Sequence, residues 1–129
     1  MDMKITFPGG KKVNADYQGF EIATDQLPAG GGEGSAPEPF ALFLASIGTC
    51  SGIYVLGFCQ QRGIDITGME ITQSMDYDPV KRLITRISLA IALPEGFPDK
   101  YKSAVVNAAK LCSVKRHLEN PPEFVVTAA

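Results

Sequence analysis

A chain of 129 residues is long enough for one hydrophobic core, so its fold requires neither a disulfide framework nor a structural metal. Apolar residues make up 45% and charged residues 20%, ordinary values that argue against a disordered chain. Twelve basic and fourteen acidic side chains leave a formal charge of -2, with no basic excess to neutralise a phosphate backbone; nucleic-acid binding is not expected. Three cysteines are too few, and odd in number, for a secreted framework. The first twelve residues hold no apolar run of a signal peptide, so the expected location is the cytoplasm, with reduced thiols.

The first elements are strands. Residues 4–7 lead into Pro8-Gly9-Gly10, a turn signal. Residues 12–17 alternate, with Val13, Ala15 and Tyr17 on one face, and Gln18-Gly19 turns the chain into a third strand at 20–24. Residues 25–37 contain Pro28, Gly30, Gly31, Gly32 and Gly34 but no Gly-Lys-Ser/Thr ending, which predicts a mobile loop near the mouth of a site in preference to a phosphate cradle. A central helix follows over 36–62, entered through Ala36-Pro37-Glu38-Pro39 and stopped by Gly63. Its stretch 39–59 carries no charge and has the length of a bilayer span. Ser46, Gly48, Thr49, Ser51, Gly52 and Gly57 lower its hydropathy, and the rest of the chain needs it as a core; a helix buried all round, with no membrane, is the expectation. Gly48 and Gly52 would let another backbone approach closely.

Two strands come next, within a hairpin over 66–94. Met69, Ile71, Met75 and Tyr77 share one face of the first; Leu83, Ile87, Leu89, Ile91 and Leu93 share one face of the second, and Asp78-Pro79 starts the turn. Residues 99–112 read as an amphipathic helix with Tyr101, Ala104, Val105, Ala108, Leu111 and Cys112 on one stripe. Pro121 and Pro122 break the chain before a last strand at 124–127. The order predicts a single α+β domain over 1–129: strands and glycine-rich loop in 1–35, central helix, hairpin, then second helix and last strand in 98–129.

The cysteines carry whatever chemistry is present. Cys50 lies mid-helix among Gly48, Thr49, Ser51 and Gly52, small neighbours that leave its sulfur uncovered by its own helix. Cys112 ends an inward stripe, so the two thiols can meet if the fold brings them together. Cys59, nine positions after Cys50, points to the opposite side as a packing residue. Buried packing is also the plain alternative for the other two. A metal site is not expected, because Cys50, Cys59, Cys112 and His117 lack paired ligand spacing, and His117 reads as part of a solvated basic turn.

The run Pro39-Phe40-Ala41-Leu42-Phe43-Leu44-Ala45-Ser46-Ile47-Gly48-Thr49-Cys50, with Leu111-Cys112-Ser113-Val114-Lys115-Arg116, resembles the two cysteine motifs of the OsmC-like proteins, which include organic hydroperoxide resistance proteins. The resemblance covers essentially the whole chain. It implies an intertwined homodimer, with antiparallel sheets wrapped around long central helices and two sites at the subunit interface. It also implies thiol-dependent reduction of a small-molecule hydroperoxide, with Cys50 as nucleophile, Cys112 as resolving thiol, an external dithiol as reductant and no cofactor. Phe40, Phe43, Ile47 and Tyr54 would form a pocket favouring organic hydroperoxides.

Two departures from the family pattern stand out. Active members supply an arginine from the N-terminal strands, and this sequence has none before Arg62. Active members also place an acid early in the central helix, where Ala41 stands here; Glu38 lies one turn earlier and is the auxiliary candidate. Lysine is no equivalent for a planar bidentate donor, and mid-helix Cys50 gains little from its own helix dipole. Without a cation from Arg62, Arg86 or Arg116, its pKa is expected near the free value of about 8.5. The alternative reading is therefore a weak or inactive dimer that binds a small apolar or sulfur-containing ligand.

Overall fold

The computed structural model describes residues 1–128. The chain forms two compact units, Met1–Ala45 and a second beginning at Ser46.

In the first unit, β1 (Lys4–Gly9), β2 (Lys12–Tyr17) and β3 (Phe20–Ile22) form an antiparallel meander in that order. Ile5 pairs with Ala15 and Ala15 with Ile22, as the alternation and the Gln18-Gly19 turn predict. The glycine-rich loop differs from the expectation of a mobile segment, because it is tied around one carboxylate. Asp25 is 1% exposed. Its Oδ1 accepts the Gln26 amide at 2.7 Å, while Oδ2 accepts the Ser35 hydroxyl at 2.6 Å, the Ser35 amide at 3.1 Å and the Glu33 amide at 3.3 Å. The Asp25 amide donates to the Pro37 carbonyl at 3.2 Å, closing the loop. Gly32 is obligatory here, since a Cβ would stand 2.0 Å from the Gln26 carbonyl oxygen.

These donors, the Ser35 hydroxyl first, lower the Asp25 pKa to about 2. A carboxylate whose pKa is lower in the folded state stabilises the fold above its unfolded pKa and loses that contribution as pH falls through the folded one. Asp25→Ala is therefore expected to lower the thermal midpoint at neutral pH by about 5 °C or more. It should also flatten the loss of stability between about pH 4 and pH 2. Thermal unfolding at several pH values checks both, and parallel acid limbs in the two proteins would refute the assignment.

The helix α1 (Pro39–Gln61) supplies the core of the second unit. Ile47, Ser51, Val55 and Cys59 are its buried residues, at the spacing of four that makes one stripe. The expectation of burial all round is thus not met within one chain. Val55 and Cys59 form the core with Phe97 and Val105, and Phe58, Ile64, Met69, Ile71, Ile91, Leu93, Tyr101 and Ala109 pack around them.

β4 (Glu70–Asp78) and β5 (Leu83–Ala92) make the antiparallel hairpin. Ile71 pairs with Ile91, Gln73 with Leu89 and Met75 with Ile87, which gives the expected apolar face. The register then shifts: Asp76 opposes Arg86 but Tyr77 opposes Ile84, leaving Thr85 as a bulge. The extra residue turns Leu83 away from the face of Ile87, so Leu83 is exposed and Ile84 takes the inward position.

The helix expected over 99–112 is broken. A short 3-10 turn at Asp99–Tyr101 leads into α2 (Lys102–Ala109), and a separate α3 (Ser113–Glu119) occupies what read as a basic turn. The strand expected at 124–127 is also absent as a paired strand in this chain; Phe124 is 85% and Val126 95% exposed.

Candidate thiol site

The break between α2 and α3 has a chemical cause. Cys112 takes an extended conformation (φ -60°, ψ 123°) and caps α3, its sulfur accepting the Lys115 amide at 3.4 Å. A thiol is not among the favoured capping groups, which is why the sequence did not signal a new helix there. The Cys112 thiol is buried and directed at the Ile47 carbonyl, 3.9 Å away on α1. The cap thereby fixes the start of α3 against the turn of α1 that carries Cys50.

Cys50 is half-buried and faces this junction. The polar groups at the start of α3, the Val114 amide first, then the Cys112 thiol and the amide and hydroxyl of Ser113, hold its pKa below the ordinary thiol value, against the opposing effect of burial. The expectation of an unshifted thiol is overturned. Cys50 is far from the ends of its own helix, but the first residues of another helix supply the groups that lower its pKa. Lowering by hydrogen bonds to the charged form needs no cation.

The candidate cations lie elsewhere. Arg62 follows the C-terminal end of α1, about 18 Å along the helix axis from Cys50. Its guanidinium sits 3.7 Å from the centroid of the Phe58 ring and donates to the Phe58 carbonyl at 3.0 Å. Arg86 is exposed on β5 opposite Asp76, and Arg116 is exposed on α3.

A cavity of about 470 Å³ opens beside the junction. Ile47 and Ser51 of α1, Ile87, Leu89 and Ile91 of β5, and Cys112 are in its wall, and Lys110 and Lys115 are its charged lining residues. Of the residues predicted for a pocket, Ile47 lines this cavity. Tyr54 is turned to α3, its hydroxyl 3.4 Å from the Ser113 hydroxyl. Phe40 and Phe43 lie in the first unit, where their rings stack with centroids 5.5 Å apart. Glu38 precedes α1 and its carbonyl accepts the Leu42 amide at 3.3 Å.

Ser113 and the Val114 amide are groups beside Cys50 that sequence reasoning did not single out. The periodicity ends the stripe at Cys112 and gives no sign that a new helix starts at Ser113. Gly48 does provide space, since a Cβ there would lie 2.7 Å from Gln73 Oε1; the approaching group is a side chain of β4, not the expected backbone. Cys59 keeps its packing role. It is fully buried, and burial raises its thiol pKa, which keeps it protonated and inert.

The family model for OsmC-like proteins matches residues 32–127. Solved structures share the fold. A Psychrobacter arcticus protein named for osmotic stress induction and detoxification response is 28% identical, with a TM-score of 0.70 over 88% of this chain and 85% of its own. An OsmC-like protein from Mycoplasma pneumoniae is 18% identical, with a TM-score of 0.67 over 93% of this chain and 87% of its own. The organic hydroperoxide resistance protein OsmC from Legionella pneumophila is 20% identical, with a TM-score of 0.54 over 92% of this chain and 89% of its own. No curated protein sequence matches the chain.

Proposed function

The chain belongs to the OsmC-like protein family, and we propose that it reduces organic hydroperoxides in the cytoplasm as a homodimer, with Cys50 as nucleophile and Cys112 as resolving thiol. The observation that carries this reading is the convergence of two cysteines at one helix start: Cys112 caps α3 with its sulfur 3.9 Å from the Ile47 carbonyl, on the turn of α1 that carries Cys50, and the lowered Cys50 pKa agrees with it. A buried packing cysteine needs neither the donors nor the second thiol. The name of the Legionella pneumophila relative, an organic hydroperoxide resistance protein, supports the substrate class.

The steps balance without a cofactor. The Cys50 thiolate attacks one peroxide oxygen, the O–O bond breaks, and the alkoxide takes a proton from water to leave as an alcohol. Cys50 becomes a sulfenic acid. The Cys112 thiol attacks that sulfur, forming the disulfide and releasing water. An external dithiol then exchanges with the disulfide, regenerating both thiols and leaving as its own cyclic disulfide. Burial of Cys112 beside Cys50 favours the second step over further oxidation of the sulfenic acid.

The apolar cavity supports a preference for organic over hydrogen peroxide, because burying the alkyl group contributes roughly 25 cal/mol per Å². Within this proposal Phe40 and Phe43, exposed or partly exposed in one chain, contact substrate at the subunit interface, and Glu38 is the auxiliary acid.

The test is consumption of cumene and tert-butyl hydroperoxide by the purified protein with a dithiol, beside hydrogen peroxide. The expected result is turnover of both organic peroxides with kcat/KM at least about tenfold above that for hydrogen peroxide. Absence of turnover would sink the reading. It would favour the second one, a ligand-binding dimer, to which the cavity with Cys112 in its wall also lends itself.

A further inference from the structure

We infer that Tyr54 and Ser113 form a hydroxyl relay that aims a proton donor at Cys50 and takes the place of an activating cation; the inference rests on Cys50 being the reactive thiol. Two contacts fix the start of α3 to α1, and they straddle Cys50. Cys112 reaches the Ile47 carbonyl three residues before it, and Ser113 meets Tyr54 four residues after it. Cys50 and Tyr54 are one helical turn apart and share a face, so the contact with Tyr54 holds Ser113 on the face of α1 that carries the sulfur.

The proton count gives the relay its direction. Each hydroxyl has one proton and two lone pairs. At 3.4 Å the Tyr54 and Ser113 hydroxyls are partners in which either atom can donate. If Ser113 gives its proton to the sulfur, Tyr54 must be the donor to Ser113, and the two bonds then polarise each other in the same sense. Ser113 is one of the groups that lower the Cys50 pKa, through both its amide and its hydroxyl. Tyr54 has no reason to face α3 if it only fills an apolar pocket. Both residues are positioning residues, since Tyr54 acts through Ser113 and Ser113 acts through the sulfur.

The test follows the ionisation of Cys50 without any peroxide. Iodoacetamide alkylation, resolved by peptide mass spectrometry, is measured from pH 5 to pH 10 in the wild type and in Ser113→Ala, Ser113→Thr and Tyr54→Phe. At pH 7, Ser113→Ala is expected to slow alkylation of Cys50 about three- to tenfold, the worth of one hydrogen bond to a charged acceptor. Tyr54→Phe should slow it about twofold, and Ser113→Thr, which keeps the hydroxyl, should restore it. All four proteins should converge at high pH, where the thiol is fully ionised. A merely structural role would lower the rate at every pH and would not be rescued by threonine. A Ser113→Ala profile that overlays the wild type overturns the relay, whatever the peroxidase assay gives. A shifted profile with no hydroperoxide turnover sustains the relay and overturns the peroxidase reading instead.

Discussion

Cys50→Ser is expected to reduce hydroperoxide consumption to the rate of the dithiol alone, a loss of about a thousandfold or more, because a serine hydroxyl in the same place has no accessible anion to attack with. Cys112→Ser is expected to behave differently. The first step leaves Cys50 as a sulfenic acid whether or not a second thiol is present, so one equivalent of peroxide should still be consumed rapidly. The sulfenic acid should then persist, be trapped by a cyclic 1,3-dione on the Cys50 peptide, and pass to sulfinic acid as peroxide is raised. In the wild type the same treatment should give a disulfide between Cys50 and Cys112 and little trapped adduct. Single-turnover kinetics with peptide mapping separates the two roles. Equal loss of the first equivalent in both variants would mean that the assignment of nucleophile and resolving thiol is wrong. Loss in Cys112→Ser alone would mean that the roles are reversed, a result that the position of Cys112 in the cavity wall would then explain.

The site was legible in the sequence only to the level of its sulfurs. Small neighbours around Cys50 and an inward stripe ending at Cys112 point to thiols that can meet, and the structure sets Cys112 against the turn of α1 that carries Cys50. What the sequence did not disclose is what surrounds the Cys50 sulfur. Looking for a cation leads to Arg62, Arg86 and Arg116, and none of these is among the groups that lower its pKa. The groups that lower it are backbone amides, a serine hydroxyl and the Cys112 thiol, polar groups that acquire meaning only from the direction in which a helix starts. That direction depends on Cys112 acting as a cap, a role for which cysteine has no recognised preference.

The fold shows the same division. Period-two alternation located β2, β4 and β5, a turn signal located β1, and the uncharged run located α1, because these signals follow directly from side-chain geometry. The bulge at Thr85 was invisible, since the apolar residues on either side of it continue to alternate, and only the pairing with Asp76 and Tyr77 reveals the extra residue. The glycine-rich loop is a further case. Its glycines read as freedom, whereas Gly32 is there because the Gln26 carbonyl occupies the space of a side chain while Asp25 gathers the surrounding amides.

One chain leaves α1 half covered, and this leads to the other large expected effect. Its buried stripe runs through Ile47, Ser51, Val55 and Cys59, while Ile53, about 180° around the helix, is 59% exposed. Phe7, Phe20, Phe124, Val125 and Val126 are also exposed, far more apolar surface than a monomer ordinarily shows to water. The helix is long and apolar enough to cross a membrane, so lipid is one conceivable cover. A second copy of the chain is the cover proposed here, because the proposed thiol chemistry gains nothing from a bilayer and the polar residues Ser46, Thr49 and Ser51 recur along the same helix. The wild type is accordingly expected to sediment as a dimer at micromolar concentration. Ile53→Glu would bury a carboxylate in the apolar seam, a cost of several kcal/mol, and should weaken dimerisation by at least about a hundredfold. The separated chains should aggregate or lose cooperative unfolding, because the exposed apolar face has no other partner. Sedimentation equilibrium of both proteins, with flotation on uncharged lipid vesicles alongside, decides the matter. A monomeric wild type refutes the dimer, as does an Ile53→Glu dimer of unchanged affinity, and flotation of the wild type would assign the same face to lipid.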